Sequence, residues 1–322
     1  MLPSIKNNIG VQVDGTSISY DVDLFHQGSI YSTEEQENGI ATGKYATKPT
    51  PALHNVQEQF NIQGKVFLVT GGGQGLGLTM AEGLVESGAI VYCLDRRENP
   101  IADFYTVQNV AKELASRGSR NPGSIHYRQV DVHEVAELER ITSEIAHTHH
   151  HIDGLVAAAA IPQVNPAIDY TAADVGRMMD INLTGVFMTA TAVARRMLEY
   201  QCKGSIVLVA SMSDFVANKG LLSSIYNSSK AALVQLARNL AMEWGKYGIR
   251  VNSLCPGHIV TPTVRDNFWE NLELEGKWKA QNMLQRLASP EEFKGVGVFL
   301  CSQASSYMTG SALVIDGGHT AW

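Results

Sequence analysis

From Lys65 onward the chain alternates short apolar runs with longer amphipathic segments, and this alternation constrains its fold more than any other feature. Short apolar runs are typical of buried parallel strands, and amphipathic stretches of about ten residues or more indicate crossover helices. We predict strands at Lys65–Thr70, Ile90–Asp95, Ser124–Val130, Gly154–Ala159, Ser205–Ala210, Arg250–Leu254 and Ala312–Ile315. The predicted helices are Leu76–Ser87, Thr106–Ser116, Val135–His147, Ala173–Glu199 and Ser224–Tyr247, with a shorter one near Pro290. Because such crossovers are right-handed, we expect an α/β fold with a doubly wound, parallel, seven-stranded sheet of Rossmann type.

Residues 1–60 differ from the rest of the chain. They are rich in Gly, Ser, Thr, Asn, Gln and Pro, and they show no sustained period of a helix or a strand. Such a composition is typical of a poorly structured segment. We therefore predict an N-terminal extension, partly disordered or draped over the surface, followed by a single domain over residues 61–322.

The composition excludes some partners. The hydrophobic content of 44% with 18% charged residues is ordinary for a globular protein, and the net charge of −7 argues against a nucleic-acid partner. No apolar run approaches the roughly 20 residues of a membrane span, and the N-terminus lacks a signal or transit pattern. The four cysteines form no C-x-x-C pair, which favours reduced thiols. We expect a cytoplasmic protein with a small-molecule substrate and no membrane partner.

A glycine-rich loop follows the first predicted strand and opens an apolar helix. Glycine lets the backbone turn sharply and approach a pyrophosphate, and the helix N-terminus supplies free N–H groups. The setting between a strand and a helix is the one that a dinucleotide-binding loop requires. The predicted cofactor contacts in this loop are Gly71, Gly73, Gln74, Gly75, Leu76 and Gly77.

Two acidic residues stand at the carboxyl ends of the next two strands. Asp95, which ends the second strand, is placed to accept both ribose hydroxyls of NAD and to repel the 2′-phosphate of NADP. Arg96 and Arg97, which follow it, could instead pair with that phosphate, so we predict NAD with NADP as the alternative. Asp131, beside Val132, is placed either to contact the adenine or to cap the next helix.

Tyr226 and Lys230 occupy positions i and i+4 of a predicted helix and therefore share one face. A nearby ammonium favours the phenolate, so we expect the pKa of Tyr226 to fall toward neutrality, which would make it a general acid or base. Ser211 stands at the carboxyl end of a predicted strand, where ligand sites of such sheets lie. Asn182 interrupts an apolar helical run, where it is either functional or a satisfied buried amide.

Together these residues resemble the short-chain dehydrogenase/reductase family, across roughly residues 64–318. The matching positions are the loop Thr70, Gly71, Gly75 and Gly77, then Asp95, Asp131, Asn182, Ser211, Tyr226 and Lys230, and the segment Pro256-Gly257-His258-Ile259-Val260-Thr261. The segments around Asp153, Ile206 and Tyr226 look most like a fungal branch that includes sugar and polyol dehydrogenases and enzymes of secondary metabolism.

The resemblance implies hydride transfer between a nicotinamide and a secondary alcohol or ketone, in a homodimer or homotetramer. It implies that Tyr226 is the acid/base, that Ser211 polarises the carbonyl and that Lys230 binds the nicotinamide ribose and assists Tyr226. Asn182 would hold a water next to Lys230. Cofactor contacts are implied at Ala158, Tyr226, Lys230, Pro256, Gly257, Ile259 and Thr261, with the carboxamide on the last two.

One segment departs from the family pattern, because Ala157–Ala160 replaces the usual Asn-Asn-Ala-Gly. Backbone contacts to a cofactor survive this change, but the side chains that brace the sheet are lost. We therefore weigh three functions: an NAD-dependent dehydrogenase for a sugar, a polyol or a secondary metabolite, an NADPH-preferring biosynthetic ketoreductase, and a non-redox cofactor-binding scaffold.

Two weaker features concern the substrate and metals. Thr263–Ala288 has the position of a lid, and its aromatic side chains either line the pocket or pack in short helices. They are Phe268, Trp269 and Trp278, with Met283 beside them. The histidines at 147 and 149–151 lie at a helix end far from the predicted site, and we predict no metal site.

Overall fold

The structure is a computed structural model that describes residues 10–13, 16–19, 55–117, 122–261, 264–265 and 272–322. The chain divides into two units, Met1–Ala52 and Leu53–Trp322. In the first unit, strands β1 (Gly10–Val13) and β2 (Thr16–Ser19) pair antiparallel. The sequence predicted no regular element there. The rest of the predicted extension, apart from residues 55–60, lies outside the described residues.

The second unit contains a seven-stranded parallel sheet, as predicted. Its strands are β3 (Val66–Thr70), β4 (Ile90–Asp95), β5 (Ser124–Gln129), β6 (Gly154–Ala157), β7 (Gly204–Val209), β8 (Ile249–Pro256) and β9 (Ala312–Ile315). The spatial order is β5-β4-β3-β6-β7-β8-β9. The order reverses between β3 and β6, and the crevice beyond the carboxyl ends of these two strands is where Rossmann-type folds bind ligands.

Helices cover both faces of this sheet. They are α1 (Val56–Gln59), α2 (Gly75–Glu86), α3 (Ala102–Ser116), α4 (Val135–His149), α5 (Ala172–Met179), α6 (Val186–Glu199), α7 (Ser224–Trp244), α8 (Leu272–Ala280) and α9 (Lys294–Cys301). The single helix predicted over Ala173–Glu199 is wrong in one respect, because a π-helical turn, Asp180–Gly185, separates α5 from α6. Such turns frequently mark functional sites.

The hydrophobic core has two layers, one on each face of the sheet. Val66 and Leu68 of β3 face the layer with α4, α6 and α7, whereas Phe67 and Val69 face the layer with α2, α3 and α9. All four side chains are fully buried. Burial on both faces explains why the strand reads as an unbroken apolar run.

Candidate active site

The loop between β3 and α2 is built so that only glycine fits at several positions. Gly71 and Gly75 have φ values of 66° and 56°, in the left-handed region that favours glycine. A Cβ on Gly77 would lie 2.3 Å from the Gly71 carbonyl oxygen. The first N–H groups of α2, which have no partner within the helix, face the same loop as an anion-binding end.

A groove of about 350 Å³ opens along this loop. Most of the predicted cofactor residues line it: Gly71, Gln74, Gly75, Leu76, Gly77, Asp95, Arg96, Asp131, Val132, Ala158 and Thr261. Six predicted residues do not line it, namely Gly73, Tyr226, Lys230, Pro256, Gly257 and Ile259. Ile101, Ile161 and Ile181 also line the groove but were not among the predicted contacts. Ile161 comes shortly after a predicted strand and Ile181 precedes Asn182, whereas no sequence signal marked Ile101.

Asp95 is held against the glycine loop. Its Oδ2 accepts a hydrogen bond from the Gly73 N–H at 3.2 Å, and its Oδ1 accepts one from the Arg97 N–H at 3.3 Å. A Cβ on Gly73 would lie 2.9 Å from Oδ2. Gly73 therefore positions the carboxylate instead of lining the groove. Arg96 and Arg97 line the groove beside it.

Asp131 stands at the other end of the groove wall, after β5. Its Oδ1 pairs with Nδ1 of His133 at 2.8 Å and lies 3.4 Å from the His133 main-chain nitrogen. The residue at the cap position of α4 is Glu134, so Asp131 is not that cap. Val132 is buried against Gly185 of the π-helical turn, where a Cβ would lie 2.6 Å from Val132 Cγ2.

The segment after β8 forms the far side of the site. Gly257 donates its N–H to the Ile315 carbonyl, and a Cβ at Gly257 would lie 2.6 Å from the Asp316 Cα. Ile259 is bridged to Ala288. Pro256, Gly257 and Ile259 thus support the segment, and Thr261 is its member that lines the groove.

Ser211, Tyr226 and Lys230 meet at the carboxyl edge of the sheet. Ser211 follows β7 and begins a 3-10 turn, Met212–Asp214, while Tyr226 and Lys230 lie in the first two turns of α7. The Ser211 hydroxyl hydrogen-bonds the Tyr226 phenol. Lys230 is buried, its Nζ donates to the Val209 carbonyl at 2.7 Å, and it lies 5.9 Å from the centre of the Tyr226 ring.

The electrostatics of this cluster differ from the sequence-based expectation. Burial and the Asp214 carboxylate raise the pKa of Tyr226 to about 12, and the hydrogen bond from Ser211 lowers it. Burial also lowers the pKa of Lys230 to about 8, which weakens its effect as a cation. The predicted fall of the Tyr226 pKa was wrong, because the sequence did not show how closely the protein packs around the half-buried Tyr226 and the buried Lys230.

Asn182 lies in the π-helical turn with its amide fully engaged. Its Oδ1 accepts from the Ile161 N–H at 2.9 Å, and its Nδ2 donates to the Ile161 carbonyl and to Ser229 Oγ, each at 3.1 Å. The side chain therefore braces the end of the Ala157–Ala160 run and joins it to α7. The bound water stays a prediction.

The alanine run itself keeps the expected backbone path. The N–H of Ala159 donates to the Thr70 hydroxyl at 3.3 Å, and that of Ala158 to the Thr70 carbonyl at 3.2 Å. Gly71 packs so closely that a Cβ there would lie 2.9 Å from Ala159. Thr70 and Asn182 thus supply the bracing that the missing asparagine side chains would have given.

The predicted lid is described only in part. Phe268 and Trp269 lie outside the described residues. Trp278 of α8 stacks on His258 with ring centres 4.0 Å apart, so it packs on the segment after β8, and Met283 is exposed.

The histidines near the end of α4 contact neighbouring side chains. His149 hydrogen-bonds Tyr92 at 2.9 Å, and His151 lies 3.3 Å from the Asp153 carboxylate.

These features fit a dinucleotide. The glycine loop leaves no room for side chains at Gly71 and Gly77, a helix N-terminus opens beside it, and a carboxylate stands where a ribose would lie. A groove of this kind, at the same edge of the sheet as a serine, a tyrosine and a lysine, defines a nicotinamide-dependent oxidoreductase.

Comparisons with known proteins agree. The family model described as enoyl-(acyl carrier protein) reductase matches residues 71–320. The short-chain dehydrogenase/reductase notP′ of Aspergillus versicolor is 37% identical over 92% of this chain and 98% of its own. Galactitol 2-dehydrogenase of Rhizobium johnstonii is 39% identical over 83% of this chain and 99% of its own.

A solved structure shows the same architecture. Gluconate 5-dehydrogenase from Burkholderia cenocepacia, in complex with NADP and tartrate, superimposes with a TM-score of 0.72 at 29% identity, covering 83% of this chain and 100% of that one. The chain therefore belongs to the short-chain dehydrogenase/reductase family. It is an NAD(P)-dependent oxidoreductase that interconverts a secondary alcohol and a ketone. Among the described residues, no helix has the length and apolar character to cross a membrane.

Proposed function

We propose that this enzyme interconverts a polyol and a ketose with NAD as its preferred cofactor, using Tyr226 as the acid/base. The observation that carries the proposal is the meeting of Ser211, Tyr226 and Lys230 at the carboxyl edge of the sheet, the edge at which the glycine-loop groove also opens.

In the direction of alcohol oxidation, the Tyr226 phenolate accepts the proton of the substrate hydroxyl, and in reduction the phenol returns it. The Ser211 hydroxyl, which already hydrogen-bonds the phenol, donates to the substrate oxygen and holds it within reach of Tyr226. Lys230 is fixed by the Val209 carbonyl, so its ammonium stays beside the tyrosine and the cofactor ribose. Asn182 keeps the Ile161 backbone and Ser229 in register with α7.

The cofactor supplies the hydride acceptor or donor when it is bound. Gly71, Gly75 and Gly77 would hold its pyrophosphate, Asp95 its adenosine ribose, and Asp131, Val132 and Ala158 its adenine side. Gly73, Pro256, Gly257 and Ile259 act one step away by fixing Asp95 and the segment that ends at Thr261.

The polyol class is supported by relatives and by the chemistry around Ser211. Galactitol 2-dehydrogenase and the D-arabinitol 2-dehydrogenase of Candida tropicalis are both relatives of this chain. Ser213 and Asn218 are buried polar side chains next to Ser211, and the Asn218 Nδ2 donates to Ser213 Oγ at 2.6 Å. A screen of polyols, ketoses and polycyclic ketones, followed through the absorbance of the reduced cofactor, tests the class. Turnover of only apolar ketones would contradict it and would favour a secondary metabolite as the substrate.

The cofactor preference rests on Asp95, because a carboxylate next to the ribose repels a 2′-phosphate. A second candidate, an NADPH-preferring biosynthetic ketoreductase, is favoured by Arg96 and Arg97, which line the same groove. Titrating NADH and NADPH against tryptophan fluorescence separates the two. Tighter binding of NADPH would overturn the NAD assignment, and Asp95→Ser is expected to shift the preference toward NADPH.

The non-redox scaffold loses its support, because Thr70 and Asn182 brace the alanine run that had suggested it.

We also propose a homodimer or homotetramer in the cytoplasm. Phe187 on α6 and Met242 on α7 are exposed on the helices that pack between subunits in the family. The four cysteines are free thiols, which suits a reducing compartment. Light scattering of the purified protein tests the first statement, and cell fractionation tests the second.

A further inference from the structure

Asp214 is a half-buried carboxylate close to the reacting groups, at a position that no sequence motif marked. It lies three residues after Ser211, at the end of the 3-10 turn Met212–Asp214. Its Oδ2 accepts the Ser211 N–H at 3.0 Å, and Ser211 Oγ in turn accepts the Ser213 N–H at 3.1 Å. This reciprocal pair fixes the backbone that carries the Ser211 hydroxyl.

The other carboxylate oxygen has no ordinary role in holding the turn. Oδ1 is buried and accepts no N–H or O–H hydrogen bond, and the one donor close to the carboxylate on this side is the weak Cys255 thiol. A buried carboxylate oxygen with so weak a donor costs free energy and calls for an explanation in a folded protein. A neutral acceptor at the same position would hold the turn equally well through Oδ2.

The turn packs against α7 and β8, and these two elements bring three titratable groups toward the carboxylate. Tyr226 and Lys230 come from α7, and Cys255 comes from β8. The pKa of the Cys255 thiol is raised to about 12 by burial and by Asp214, so the thiol is neutral at working pH. Burial raises the pKa of Asp214 itself, whereas the Ser211 N–H, the Cys255 thiol and Lys230 lower it and so favour the carboxylate. The Asp214 carboxylate is thus a negative charge near Lys230 and Tyr226. It attracts the Lys230 ammonium and repels the Tyr226 phenolate.

We propose that Asp214 is a positioning residue that sets the working pH of the enzyme, by holding the Ser211 backbone and placing a negative charge beside Tyr226 and Lys230. The inference rests on the proposed acid/base role of Tyr226. The charge opposes formation of the phenolate and favours the ammonium, so it raises the pKa of both groups. Lys230 thereby keeps its charge in spite of its burial, and proton transfer at Tyr226 is moved to higher pH.

The Asp214 charge changes the pKa of Tyr226 and the pKa of Lys230 in the same direction. Alcohol oxidation needs the Tyr226 phenolate together with the Lys230 ammonium, so the ionisations of this pair set the two limbs of the pH profile. Removing the Asp214 charge lowers both pKa values, so both limbs move to lower pH. A residue that only held the turn would lower the rate without moving either limb.

Asp214→Asn tests this, because the amide oxygen still accepts from the Ser211 N–H while the charge is lost. The pH dependence of kcat/KM for polyol oxidation is compared in wild type, Asp214→Asn and Asp169→Asn, which removes the same charge from an exposed position. We expect both limbs of the Asp214→Asn profile to shift down by about one pH unit, a shift typical of a nearby charge. The control is expected to keep the wild-type limbs.

Unchanged limbs in a folded Asp214→Asn variant would overturn the inference while leaving the proposed function intact. An inactive wild type across the substrate screen would instead remove the proposed function. If Asp214→Asn does not fold, Asp214→Ser retains an acceptor for the Ser211 N–H and takes its place. Tyrosinate absorbance gives a readout independent of activity: the titration that disappears in Tyr226→Phe is expected at lower pH without the Asp214 charge, and an unmoved titration contradicts the inference.

Discussion

The surroundings of His258 predict that the folded protein loses stability as the pH falls. The His258 ring stacks on Trp278 with centres 4.0 Å apart and meets His319 edge-on at 5.3 Å, so it joins the end of β8 to α8 and to the C-terminal segment. Its Nε2 is buried without a hydrogen-bond partner. Burial, with a smaller effect from His319, lowers the pKa of His258 from 6.5 to about 4.

The sign and the size of the effect follow from linkage. A group whose pKa is lower in the folded state binds a proton first in the unfolded state, so its contribution is intact above about pH 6.5 and is lost as the pH falls toward 4. At pH 5 the two pKa values correspond to a loss of about 2 kcal/mol in the free energy of unfolding. His258→Phe keeps a planar ring against Trp278 and removes the titration.

The assay is urea unfolding at pH 7 and pH 5, followed by far-ultraviolet circular dichroism. We expect the loss of stability between these two pH values to be about 2 kcal/mol smaller in His258→Phe than in wild type. His147→Gln, at an exposed position on α4, is the matched control and is expected to behave as wild type. An equal loss in His258→Phe and wild type would refute the reasoning.

The remaining predictions concern the loop and the π-helical turn. Asn182→Ala leaves the Ile161 N–H and carbonyl and Ser229 without their partner, so we expect a loss of about 2–4 kcal/mol in unfolding free energy. A loss below about 1 kcal/mol in urea unfolding would contradict that role. Gly77→Ala places a Cβ 2.3 Å from the Gly71 carbonyl, so we expect cofactor affinity by fluorescence titration to fall at least about tenfold. Wild-type affinity in that variant would show that the loop is not the pyrophosphate site.

The sheet could be predicted from the sequence because buried parallel strands are continuous apolar runs. The β4 and β9 strands begin and end where the pattern placed them, and most of the others differ by one or two residues. The prediction of one continuous helix over Ala173–Glu199 was wrong at the π-helical turn Asp180–Gly185. A π-helical turn differs from an α-helix in its backbone hydrogen bonds, which the apolar pattern of the sequence does not show.

The site was predictable where a motif has fixed spacing and not where it depends on burial. The glycine loop, Asp95 and Ser211 lie where the sequence placed them, because each follows a strand directly. The pKa of Tyr226 was predicted with the wrong sign, because burial and Asp214 act through space. Asp214 itself was missed, since nothing in its sequence position shows that its turn packs against α7 and β8.

The central claim is that Tyr226 transfers the proton, while the residues that line the glycine-loop groove supply most of the binding of the cofactor. The most direct measurement is the turnover of Tyr226→Phe with the best polyol, together with the affinity of that variant for NADH by fluorescence. We expect turnover to fall by about 10²–10⁴-fold, as for loss of a general acid or base, with NADH affinity close to wild type. Turnover near the wild-type rate would contradict the account.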